Sequence, residues 1–172
     1  MSRQNATAAI KLAADIRSEL QGLIKPPSET AICHEEGVII FSIVRGSRSY
    51  IELLVHQING TYANAWYDAC LVMIRRLIET LIIEAFEAKK IESKIKNGNG
   101  DYFMLDELIR LALAETNWTL GRSVRQSLPK LKDIGNKSAH SRRFIAHRQD
   151  IDKVIDDLRH VIQEFIFLAE LK

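Results

Sequence analysis

The segment from Thr61 to Lys90 is apolar on nearly every side of a helix, with Trp66, Cys70, Leu71, Ile74, Leu77, Ile78, Leu81, Ile82 and Ile83 leaving no wide polar stripe. Such a helix has to be covered by other elements all round, which makes it the central member of a bundle. It does not read as a membrane span, because its most apolar window, Leu71 to Ala88, carries Arg75, Arg76, Glu79, Glu84 and Glu87. The covering elements are expected to be helices too: with 8 glycines and 3 prolines in 172 residues, the chain lacks the turn residues that an all-β fold needs. A content of 47% hydrophobic and 27% charged residues excludes a disordered chain and a disulfide scaffold.

Apolar spacing marks out the other helices. Ile10, Ala13, Ile16, Leu20 and Leu23 predict one over Asn5–Ile24, stopped by Pro26-Pro27-Ser28. The β-branched run Val38–Val44 reads as a strand or as a buried extended connection. Ser49-x-x-Glu52 matches a capping box opening a helix with Tyr50, Leu54, Val55 and Ile58 on its apolar side, and Asn59-Gly60 is expected to interrupt it. After the loop Asn97–Gly100, Tyr102, Leu105, Leu108, Ile109 and Ala112 space out another helix. Thr116 to Gly121 reads as a break, and Ser127-Leu128-Pro129 places a proline in the first turn of the next helix. The periodicity over Asp150–Leu171 closes the chain. The expected fold is all-α, a single antiparallel bundle of five to six helices, with an N-terminal helix and connection over residues 1–47 and the bundle over 48–172.

The N-terminal Met1-Ser-Arg-Gln-Asn-Ala-Thr has no apolar core of the kind a secretory signal needs, so the expectation is a soluble cytoplasmic protein with Cys33 and Cys70 reduced. No phosphate loop or nucleophile elbow is present. The pair Cys33-His34 and the single residues His56, Cys70 and His160 are scattered one per element, so neither a metal nor a cofactor is expected.

The net charge of +2 hides an uneven distribution. Residues 121–148 hold eight basic side chains (Arg122, Arg125, Lys130, Lys132, Lys137, Arg142, Arg143 and Arg148) against the single acid Asp133, a local +7 that leaves −5 for the rest. Such a segment suits a polyanion. Within it, Asn136 and His140 are four residues apart and share a helix face. An amide beside an imidazole can bind a phosphate or ribose, and imidazole titrates in the range of general acid–base catalysis. The alternative is that Gly135-Asn136 helps to end the helix and His140 caps its last carbonyls. Arg75-Arg76-x-x-Glu79 on the central helix places charge in apolar surroundings, so at least one arginine should face Glu79 or the Asn136/His140 face, as a structural ion pair or as the polar floor of a site.

The helix Ala-Cys-Leu-Val-Met-Ile-Arg-Arg-Leu-Ile-Glu, followed about sixty residues later by Leu-x-x-Ile-Gly-Asn-Lys-Ser-Ala-His and a long amphipathic closing helix, resembles the HEPN superfamily. It is similar, more narrowly, to its domain-of-unknown-function 4145 branch, which occurs alone and fused to restriction-system proteins. The resemblance runs from Tyr50 to the C-terminus. It implies a bundle of four to five helices, often a homodimer whose motif helices line a basic cleft. Active members are metal-independent endoribonucleases in which an Arg and a His assist attack of a ribose 2′-hydroxyl on the adjacent phosphate. Asn136 matches the motif's polar residue and His140 its histidine. The arginine expected before the polar residue is replaced by Gly135, which removes a stabiliser of roughly 2 to 4 kcal/mol in comparable sites. Lys132, Lys137, Arg142 and Arg143 are the nearby cations, without the family spacing. The resemblance thus implies a domain that binds RNA, a nucleotide or a partner protein such as a restriction- or defence-system component, without strong catalysis. The alternatives are an endoribonuclease and a structural protein-interaction module.

Overall fold

The computed structural model of the chain describes residues 37–172, together with Lys11, Leu12, Ala14 and Asp15. Those four are helical; the rest of the helix expected over Asn5–Ile24 lies outside the described residues, as do Cys33 and His34. Six α-helices follow: α1 (Ser49–Ala63), α2 (Tyr67–Ala88), α3 (Leu105–Ala114), α4 (Arg122–His140), α5 (Arg148–Asp152) and α6 (Ile155–Leu168). Single 3-10 turns lie at Phe41–Ile43 and Glu92–Ile95. The described residues contain no strand beyond one antiparallel bridge, Lys96 to Tyr102. The fold is the all-α bundle that the periodicity predicts, and none of the described helices is long and apolar enough to cross a membrane.

Helix α2 is the central member. Leu71, Ile74, Leu77, Ile78, Leu81, Ile82, Ala85 and Phe86 are fully buried, and the helix packs against α1, α3, α4, α5 and α6. Each large aliphatic side chain removed from water in this way contributes roughly 1.5–3 kcal/mol. Directions follow from pairs across the interfaces. Cys70 Sγ lies 3.6 Å from the Ile58 carbonyl while the Tyr50 hydroxyl bonds Glu84, so α1 and α2 are antiparallel. Lys130 meets Asp157 and the Gly121 N–H donates to Glu164, so α4 and α6 are antiparallel as well.

Several boundaries differ from the sequence expectation for identifiable reasons. The Ser49/Glu52 capping box does not form: Ser49 already lies in the first turn, and Glu52 Oε1 accepts from the Gly46 N–H at 2.7 Å instead. Asn59-Gly60 does not interrupt α1. Asn59 is buried, with Oδ1 accepting from the Ile39 N–H at 3.0 Å and Nδ2 donating to the Ile39 carbonyl at 2.8 Å. A polar residue can be buried when both ends of its amide are satisfied. This clamp holds Val38, Ile39 and Val44 in the core, so the run Val38–Val44 is a buried connection with a 3-10 turn rather than a strand. The chain turns between α1 and α2 at Ala65, which has φ 60, so α2 begins at Tyr67 and not near Thr61. Tyr102 belongs to the bridge and not to α3. The closing segment divides into α5 and α6.

Candidate functional site

Helix α4 buries Val124, Ser127, Leu128, Leu131 and Gly135, a spacing of three to four that turns one face to the core. The helix begins at Arg122, so Pro129 sits in its interior and not in its first turn. There the proline removes the N–H that would bond the Arg125 carbonyl. Past Pro129 the helix continues through Gly135-Asn136 to His140, so the alternative in which that dipeptide helps to end the helix does not hold.

Gly135 marks the crossing of α4 and α2. A Cβ at this position would stand 3.0 Å from Arg75 Cβ and 3.3 Å from the Leu71 carbonyl oxygen, so the absent side chain is what lets the two helices touch. The same contact lays the Arg75 side chain along the next residue of α4. Arg75 Nε donates to Asn136 Oδ1 at 2.9 Å, and its Nη1 reaches Glu79 Oε2 at 3.5 Å. The arginine expected to face Glu79 or the Asn136/His140 face does both. Because Oδ1 is the acceptor, the Asn136 NH₂ group is turned the other way with both N–H bonds left to donate. His140 is exposed one turn further on the same face. Arg76 is exposed and its carbonyl accepts from the Thr80 hydroxyl; it takes no part in this cluster.

The basic segment sorts into paired and unpaired side chains. Lys132 Nζ is held 2.6 Å from Asp106 and 3.2 Å from Asp133, and Asp106 raises its pKa. Lys130 lies 3.9 Å from Asp157, and Arg148 lies 3.6 Å from Asp152 while donating to the Tyr62 hydroxyl. Arg122, Arg125, Lys137, Arg142 and Arg143 are exposed and face no carboxylate among the described residues. Arg122 and Arg125 lie at the start of α4, whereas Lys137, Arg142 and Arg143 surround His140 in sequence at its end.

Sequence reasoning passed over three residues here. Asp68 accepts from the Ala146 N–H at 3.2 and 3.3 Å through its two carboxylate oxygens, which ties the turn after α4 to the first turn of α2. Trp66 precedes α2 and is 63% exposed, and Ile145 beside Ala146 is 70% exposed. An exposed aromatic leaves no periodic trace, so patterning could not have separated Trp66 from the core of the central helix. Among the described residues no group of His, Cys, Asp or Glu could hold a metal ion. Cys70 is buried, and burial pushes its thiol up to about 12, so it is no nucleophile.

The end of α4 thus presents amide, imidazole and guanidinium donors beside cations that face no carboxylate among the described residues, an arrangement that can hold an oxyanion. No curated protein and no solved structure matches the chain. Residues 56–172, which take in α2, Gly135, Asn136 and His140, match the family described as a domain of unknown function (DUF4145), and the chain belongs to that family.

Proposed function

We propose that the C-terminal end of α4 binds RNA through its phosphates, with Asn136 and His140 as the contacting pair and Lys137, Arg142 and Arg143 as the surrounding cations. The observation that carries this reading is the Arg75–Asn136 hydrogen bond at the end of α4, with the exposed His140 and, within a few residues of it in sequence, three exposed cations that face no carboxylate among the described residues. Trp66, exposed beside the turn that Asp68 anchors, adds a surface on which an unpaired base can stack. Binding of a fluorescein-labelled single-stranded RNA, titrated in EDTA across ionic strength, tests it. Each phosphate neutralised on a single strand lowers the logarithm of the affinity by about 0.7 per logarithm of salt, so several contacts give a steep line. Absence of binding at low salt, or a flat line, rejects the reading.

A second reading is favoured by the same pair together with the HEPN resemblance: metal-independent cleavage of the bound strand, in which His140 takes the proton of the 2′-hydroxyl as its oxygen bonds the adjacent phosphorus, the P–O5′ bond breaks to leave a 2′,3′-cyclic phosphate, the 5′-oxygen departs with a proton from His140 or water, and Asn136 orients the phosphate. Cleavage that survives EDTA and is lost in His140→Ala supports it; intact RNA after prolonged incubation leaves a binding domain. The homodimer implied by the resemblance is checked by sedimentation of the full chain with and without RNA.

A further inference from the structure

We infer that Arg75 is a phosphate-binding residue of this site, delivered by α2 across the Gly135 contact; this rests on the RNA reading above. A guanidinium has five N–H donors. In Arg75 the Nε–H is held by Asn136 at 2.9 Å and one Nη1–H reaches Glu79 at 3.5 Å, a long contact. The other three donate to no described residue, and the side chain keeps 24% of its surface exposed. A planar fork so placed is suited to two oxygens of one phosphate.

Two features distinguish this from an ordinary ion pair. The shorter bond of Arg75 goes to a neutral amide on another helix, and it turns the donors of that amide away from Arg75, in the sense a second phosphate contact requires. Position 135, from which α4 itself could have carried an arginine next to Asn136, is tight: a Cβ there would stand 3.0 Å from Arg75 Cβ and 3.3 Å from the Leu71 carbonyl oxygen, so a side chain would have to push the Arg75 stem aside. The glycine leaves the Arg75 stem its place against α4, and the guanidinium reaches Asn136 from the opposite helix.

Glu79 then competes with the ligand for the guanidinium, and this separates a binding role from a structural one. In the fluorescein-RNA titration, Arg75→Ala is expected to weaken binding by roughly tenfold to a hundredfold. Arg75→Lys, which keeps the charge without the fork, should recover only a small part. Glu79→Gln is expected to bind several-fold tighter. If RNA binds the wild type and Arg75→Ala matches it, or if Glu79→Gln binds no tighter, the inference is overturned while the RNA reading stands. A readout on the wild type avoids any folding defect of the variants. The Arg75 Nε–H resonance, identified by its absence in Arg75→Lys, should move saturably as inorganic phosphate is added. That shift without RNA binding sustains the phosphate role and rejects RNA, and neither shift nor RNA binding overturns both.

Discussion

Two turns bracket α4, and they treat charge in opposite ways. In the turn before it, the Glu115 carboxylate has only 4% of its side chain exposed and accepts from Lys94 Nζ at 2.8 and 3.1 Å, from the Thr116 and Asn117 N–H groups at 2.8 and 3.0 Å, and from Asn117 Nδ2 at 2.7 Å. Trp118, in the same turn, is buried edge-on against Phe86 with its indole N–H on the Ala112 carbonyl. In the turn after α4, Arg142 and Arg143 are exposed, Ile145 is exposed, and the backbone is tied by Asp68 at Ala146. A buried charge must be answered inside the protein, since burying it alone costs more than folding can offset. An exposed cation is answered by water at little cost, and so stays free to exchange water for a phosphate. Exposure alone would not single out the second turn. What does is that its cations lie within a few residues of Asn136 and His140, the face that Arg75 reaches, whereas Arg122 and Arg125 stand at the other end of α4.

The largest expected effect comes from reversing charge at the end of α4 and in the turn after it. Lys137→Glu/Arg142→Glu/Arg143→Glu should lose RNA affinity by about a hundredfold or more at physiological salt, because three attractive contacts become repulsive. Its calorimetric melting temperature should stay close to that of the wild type, as these side chains are exposed. Retained affinity would show that the ligand side of α4 lies elsewhere. Next in size is Gly135→Leu, which forces atoms into a space where even a Cβ stands 3.0 Å from Arg75. Overpacking of this kind costs about 1–3 kcal/mol, read from urea unfolding. Displacement of Arg75 from Asn136 should lower RNA affinity in the same variant, and Gly135→Ala should show both effects in weaker form.

The difference between the turns was partly legible in the residues. The four-residue spacing of Asn136 and His140 is a property of the helix itself, and an arginine in apolar surroundings had to find Glu79 or that face. The charge asymmetry located the second turn but overcounted it, because Lys130, Lys132 and Arg148 are matched by Asp157, Asp106 and Asp152 from distant or neighbouring positions. Pairing across helices depends on packing that no local pattern encodes. Gly135 was misleading for the same reason: read along the chain it is a lost arginine and a helix stop, and read across the α2–α4 crossing it is the contact that brings Arg75 in. Asn59-Gly60 likewise carries the composition of a break, yet a buried clamp on Ile39 keeps the helix running.

Smaller effects separate burial from proximity in the first turn. Lys94, followed by the backbone and amide N–H groups of the turn, holds the Glu115 carboxyl down at about 2, against 4.5 ordinarily. The folded state therefore binds that proton more weakly than the unfolded state does. The resulting stability is whole above about pH 4.5, declines as pH falls, and is gone below about 2. Glu115→Gln should lower the urea midpoint at neutral pH and flatten its decline across that acid window. Lys89 and Glu170 approach to 2.6 Å, closer than Lys94 and Glu115, but Glu170 is 67% exposed where Glu115 is 4% exposed. Water already answers both charges, so Lys89→Ala should leave the urea midpoint unchanged within error, and the more so in 1 M salt, where the Debye length is about 3 Å. If Lys89→Ala instead matched Glu115→Gln, distance and not burial would govern what an ion pair contributes here, and the contrast between the two turns would lose its physical basis.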